Sequence, residues 1–196
     1  MPPKAKFSKD EIIQMAFQIA KTDGIDKITA RELGKRLGSS ARPIFTVFEN
    51  MDQIRAEVIA CGKELYRQYV TDGLQQEIAF KGVGMAYITF SIREPKLFQL
   101  LFMSAGSEQT DVAHILPQID ASYEEILHSV QIPYGLSRAA ADRMYQHLWT
   151  YTHGIATMCA TGLCNYTMEQ ISDRLTEIFK SLLMMEKGAY QNHDKN

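Results

Sequence analysis

Long apolar runs are missing from this sequence. The longest, such as "IATMCA" at 155–160, fall far short of the roughly 20 residues a membrane-spanning helix needs. No membrane partner is therefore expected. The basic start "MPPKAKFSKDEI" also lacks the apolar segment and small-residue cleavage site of a secretory leader, so the chain is expected to be cytoplasmic. Cysteine is scarce: Cys61, Cys159 and Cys164 are odd in number and have no CxxC spacing, which argues for reduced, mostly buried thiols rather than a disulfide framework or a zinc site. Strict apolar/polar alternation is absent over any length that would make a convincing strand. There is no internal repeat, low-complexity segment, phosphate loop, dinucleotide fingerprint or Ser/His/Asp arrangement, so nucleophilic and nucleotide-dependent chemistry are not expected.

What is present is ordinary globular material. Hydrophobic residues make up 45% and charged residues 22% of 196 residues, enough for one sizeable core or a small domain joined to a larger one. The net charge of -2 conceals an asymmetry: residues 1–55 hold ten Lys or Arg against seven Asp or Glu, and the rest hold eleven against sixteen. A mildly basic head on an acidic body points to an anionic partner at the N-terminal end.

Helix-start signals recur. Ser8 with Glu11, Thr29 with Glu32, Asn50 with Gln53 and Thr167 with Gln170 each have the spacing at which a side chain and a backbone N–H satisfy one another at a helix N-terminus. The predicted fold class is all-α, with about nine helices. The first runs from Ser8 to "TDG" on an apolar stripe of Ile12, Ile13, Ala16, Phe17, Ile19 and Ala20. A short second starts at Thr29, carries Ala30, Leu33 and Leu37 on one face, and closes at Gly38. A third is expected over 41–48 and a fourth from Met51 to about Val70. Longer helices follow over roughly 78–93, 95–103, 109–131 with a break at Pro117, 137–162 and 167–187, with Ser137 and Thr167 as caps and Pro95 in a first turn.

The second helix, the turn "GSS" at 38–40 and the third helix have the lengths of a helix-turn-helix, whose second helix enters the major groove of DNA. Gly38 can take the left-handed conformation of the turn, and Ser40 can cap the next helix and leave outward amides for a phosphate. Ile44 and Phe48, four apart, are expected to pack inward. Ala41, Arg42, Phe45, Thr46 and Val47 then supply the exposed face: Arg42 for guanine or phosphate, Thr46 for a base or phosphate, Ala41 or Val47 for a thymine methyl.

Residues 8–55, above all "GIDKITARELGKRLGSSARPIFTVFENMDQI", resemble the DNA-binding head of the TetR family of bacterial transcriptional regulators. The resemblance rests on the apolar anchor Ile28, on "TARELGKRLG", and on "IFTVF" where the family usually shows Leu-Tyr-x-x-Phe. More weakly, "YITFSIREPKLFQLLF" and "LWTYTHGIA" resemble the ligand-binding region of one subgroup. Two positions depart from the family. Phe45 replaces a tyrosine whose hydroxyl often reaches a phosphate, and Met51 stands where a phosphate-binding lysine is frequent. With Glu49 and Asp52 nearby, the grip on phosphate is expected to be modest and its salt dependence shallow.

The resemblance implies a DNA-binding domain over 1–53 and a ligand-binding and dimerisation domain over 54–196. It also implies a homodimer on double-stranded operator DNA, acting most simply as a repressor released by a small hydrophobic effector, with no cofactor. The expected DNA-facing set is Thr29, Ala30, Arg31, Ser39, Ser40, Ala41, Arg42, Phe45, Thr46, Val47 and Met51. The expected pocket set is Tyr66, Met85, Tyr87, Phe90, Phe102, Met103, Tyr123, Met144, Leu148, Trp149 and His153, with helix packing an equal reading for His153. The apolar positions of the last two helices, among them Ala156, Cys159, Ala160, Ile171, Leu175, Ile178, Phe179, Leu182 and Leu183, suit burial on one stripe and pairing across a two-fold axis on another. A competing reading is a helical carrier or interaction module whose head has lost specific DNA binding. An enzyme reading has only Glu125/His128 and Asp111/His114, Glu-x-x-His-like spacings with too few further carboxylates for a di-metal site.

Overall fold

The computed structural model describes residues 6–104 and 111–193, with side chains through residue 188. Among the described residues there are nine α-helices, two 3-10 turns and no strand: α1 Lys9–Asp23, α2 Ala30–Arg36, α3 Met51–Leu74, α4 Ala79–Arg93, α5 Pro95–Phe102, α6 Val112–Ile119, α7 Tyr123–Tyr134, α8 Arg138–Ala160 and α9 Met168–His193. No helix among them is long and apolar enough to cross a membrane. The chain forms two compact units. One runs through Leu65 and includes Glu94–Ser104; the other comprises Tyr66–Arg93 and the residues after Ser104. The first unit thus extends past residue 53, because α5 packs on α1 and belongs to its core.

In the first unit the helix starts follow local chemistry. Ser8 and Glu11 form a complete capping box on α1, and Thr29 Oγ1 accepts from Glu32 N–H at 3.1 Å to start α2. The second box is only half formed, because Glu32 turns its carboxylate to Arg36 at 2.8 Å. At α3, Asn50 caps Gln53 N–H, but the Gln53 amide oxygen reaches back to Glu49 N–H. Each cap is worth about 1 kcal/mol. Ile12, Ala16, Ile19, Ile28, Leu33, Ile44, Ile54, Val58, Leu97 and Phe98 are fully buried and make one apolar core.

The third helix expected over 41–48 is not an α-helix. Backbone bonds run from Ile44 to Ala41, Thr46 to Pro43 and Val47 to Ile44, a 3-10 pattern over Ile44–Thr46, and its cap position is Pro43 with no side-chain cap bond. Ser40 therefore does not cap a helix. Pro43 accounts for the difference: it disfavours the helical conformation at Arg42 and offers no N–H to a preceding turn.

In the second unit α4 packs against α7, α8 and α9. The chain between α3 and α4 turns back tightly: a Cβ on Gly82 would lie 2.1 Å from the Gly73 carbonyl oxygen, so only glycine permits this approach. Ser137 caps α8, Thr167 and Gln170 form a complete capping box on α9, and Pro95 sits in the first turn of α5, which lies in the first unit. The break expected at Pro117 lies elsewhere. Pro117 is inside α6, which ends at Asp120 in an extended conformation, so the helix expected over 109–131, whose first two residues lie outside the described residues, is two helices. A proline deletes one helical bond, whereas Asp120 is drawn out of the helix by partners on other helices. The three cysteines are free and half-buried rather than mostly buried.

Candidate DNA-reading face and ligand cavity

The loop after α2 is held against the helix by Gly34. A Cβ there would lie 3.0–3.1 Å from backbone atoms of Ser39, Ser40 and Ala41, while Ser39 N–H bonds the Gly34 carbonyl at 2.8 Å. Gly38, with φ +64, makes the turn. Sequence reading noted Gly38 but passed over Gly34, whose signal was a glycine inside an otherwise good helix. Ile44 and Phe48 are buried as expected, and this anchors the segment.

Above those anchors, Thr29, Arg31, Ser40, Arg42, Phe45 and Thr46 are exposed, while Ala30, Ser39, Ala41, Val47 and Met51 are half-buried. Thr46 Oγ1 donates to the Pro43 carbonyl at 2.7 Å, leaving its oxygen as an acceptor. Ser39 Oγ accepts from Lys6 at 2.9 Å, which places a further cation, absent from the expected set, beside the turn. Arg36 is tied to Glu32 and Asp23, each at 2.8 Å, and Arg55 to Asp52 at 2.8 Å and to the Ile28 carbonyl. Arg42 and Arg31 are in no such pair among the described residues, and both are exposed cations left available there.

The second unit encloses a cavity of about 380 Å³. Of the expected pocket residues, Tyr66, Tyr87, Leu148 and Trp149 border it. The others lie elsewhere. Phe90 and Met144 are fully buried core, and Met85 borders a separate groove with Tyr69 and Asp72. Tyr123 is engaged with Asp142 at 2.7 Å, while Phe102, stacked near Phe98, and the exposed Met103 belong to the first unit. His153 stands behind the wall, its Nδ1 2.9 Å from the Tyr87 hydroxyl and its ring stacked on Trp149 at 4.8 Å. Burial holds its pKa below the ordinary histidine value.

Residues not expected from sequence complete the cavity, notably Phe80, Lys81, Asp120, Tyr134, Tyr145, Thr176, Phe179 and Lys180. Asp120 is the buried polar centre. Its Oδ1 accepts from Tyr66 at 2.9 Å and its Oδ2 from Tyr145 at 2.5 Å. Burial raises the Asp120 pKa despite those two bonds, and it pushes both phenols well up, so they remain donors. Trp149 Nε1 is buried without a hydrogen-bond partner. Asp111 and His114, one of the two metal-like spacings, instead bond each other at the start of α6, and no group of three or more metal-ligating side chains occurs among the described residues.

One unit carries α2, a glycine turn and a 3-10 turn with exposed Arg42 and Thr46, and the other surrounds a cavity bordered largely by aromatic side chains, an all-helical two-unit architecture. Residues 80–183 match the family model described as tetracyclin repressor-like, C-terminal domain. The chain belongs to the TetR family of transcriptional regulators. Its fold is similar to a crystal structure of a TetR-family transcriptional regulator from Mesorhizobium loti MAFF303099, with 17% identity, 90% of this chain and 95% of that chain covered, and a TM-score of 0.51. At that identity the likeness speaks for the fold alone. No match to a curated protein sequence was found.

Proposed function

We propose that this protein is a ligand-responsive repressor that binds operator DNA as a homodimer through the face around Arg42 and is released by a small apolar effector held in the cavity. The observation that carries the reading is the exposed set Arg42, Phe45 and Thr46 standing over buried Ile44 and Phe48, with the turn drawn in at Gly34. Such a segment offers a fork-shaped cation and a hydroxyl to base edges. Phe45, 46% exposed, offers only an apolar surface, so phosphate contact falls to Arg42, Lys6 and backbone amides.

Two heads are needed to read two half-sites. The proposed dimer seam uses α8 and α9, where Met184 (75% exposed) on α9 and Leu163 (75% exposed) in the connection between the two helices are apolar side chains open to solvent. Effector binding lowers operator affinity only if the ligand prefers one of two states of the dimer. The test is selection of genomic DNA on the purified protein, followed by anisotropy titration of the recovered site with and without Arg42→Ala. Specific binding that the substitution removes supports the reading. Failure to recover any site overturns it and favours a carrier or interaction module.

A further inference from the structure

We propose that the cavity takes an organic anion, an apolar body carrying one carboxylate, with the carboxylate seated between Lys81 and Lys180. The inference rests on the reading that this cavity is the effector site and names the chemical class of its occupant. Lys81 is half-buried in the first turn of α4, and its Nζ donates to Thr176 Oγ1 at 2.9 Å. Lys180, exposed to solvent, lies one turn beyond Thr176 on α9 and also borders the cavity, so both lysines stand at the same rim. Neither lysine is in an ion pair among the described residues. The positive end of α4's dipole adds to the same local potential, and no acidic side chain occupies that helix's first turn.

The remaining polar groups point the same way. Asp120 is the one acidic residue bordering the cavity; Glu77, Asp173 and Glu177, close in sequence to the lysine cluster, do not border it. Both Asp120 oxygens already accept phenol hydroxyls, which leaves little for a cationic guest. The charged donors on the cavity border, Lys81 and Lys180, therefore have no acidic partner there that is still free. A carboxylate between two lysines gains charge-assisted hydrogen bonds, roughly twice as strong as neutral ones, while Phe80, Phe179, Tyr87 and Leu148 take the apolar body.

Trp149 is the single tryptophan of the chain and borders the cavity, so its fluorescence reports occupancy in the full-length protein. Two matched series are titrated: decanoate, decanol and decylamine, and 2-naphthoate, 2-naphthol and 2-naphthylmethylamine. In at least one series the acid is expected to bind about tenfold or more tighter than its alcohol and its amine. Combining Lys81→Met and Lys180→Met should erase that preference, and raising salt should weaken the acid but not the alcohol in the unaltered protein. The salt arm needs no variant and stands even if the substitutions impair folding. Acids that bind no tighter than alcohols, a preference for amines, or salt-independent acid binding overturn the anion class while leaving the cavity as the effector site. Gly84→Leu, whose Cβ would lie 3.2 Å from Leu175 Cδ1 where both border the cavity, should abolish all binding in protein that circular dichroism shows to be folded. No binding in either series, or binding that Gly84→Leu leaves intact, overturns the cavity reading itself.

Discussion

In the first unit the candidate functional side chains stand outside the core: Arg42, Phe45 and Thr46 are exposed beside Ile44 and Phe48, which are buried. In the second unit the candidate chemistry lies inside, where Tyr66, Tyr145 and Trp149 pack on neighbouring rings on one side and border space on another, and a carboxylate is held between two phenols. A surface site can be built on close packing. An interior site requires that packing be withheld at one place and made up for elsewhere, through the close approach at Gly82 and the two-point pairing of Arg143 with the buried Glu186 at 3.1 and 2.6 Å.

The largest expected effect falls on that compensating packing. Gly82→Ala forces a methyl into the Gly73 carbonyl and should cost about 3 kcal/mol or more, read as a fall in the urea midpoint. Comparing core truncations tests the contrast directly. Ile44→Ala, at a filled site, should cost about 3 kcal/mol, and Leu148→Ala, whose side chain already faces open space, about 2 kcal/mol or less. Equal costs would break the distinction between the two units.

Arg42→Ala should lower operator affinity by about tenfold to a hundredfold with an unchanged unfolding midpoint, as expected for an exposed side chain in no ion pair among the described residues. A matching loss of stability would place Arg42 in the core's support instead. The smallest effect concerns pH. The folded-state pKa of Asp120 is raised by burial, so the native state favours its protonated form. Its contribution is fully present below the ordinary aspartate value of about 4 and is lost as pH rises through the folded value. Urea midpoints measured across that range should therefore fall in the native protein relative to Asp120→Asn, with the two curves converging at low pH.

Much of the first unit was legible because its determinants are local. The capping residues Ser8 and Thr29, the turn at Gly38 and the anchor spacing of Ile44 and Phe48 each act within a few residues of where they stand. What misled was also local but competing: Pro43 tightened the expected helix into a 3-10 turn, and Glu32 preferred Arg36 to the Thr29 backbone. In the second unit the helix ends at Ser137 and Thr167 were equally readable. The cavity was not. Met144 and Phe90 have the same chemistry as residues that border it, yet they are core; periodicity shows which face of a helix is apolar and not whether that face meets side chains or space.

By itself the sequence determined the helical class, most of the helix starts, and the turn at Gly38 with exposed Arg42 beyond it, since caps, glycines and apolar periods act over a turn or two of chain. Only the tertiary structure decided that Asp120, Tyr66 and Tyr145, 54 and 25 residues apart from it, would meet. The same holds for Lys81 and Thr176, 95 residues apart. Side-chain contacts at such separations depend on which helices pack together and at what rotation, and no local pattern encodes that arrangement.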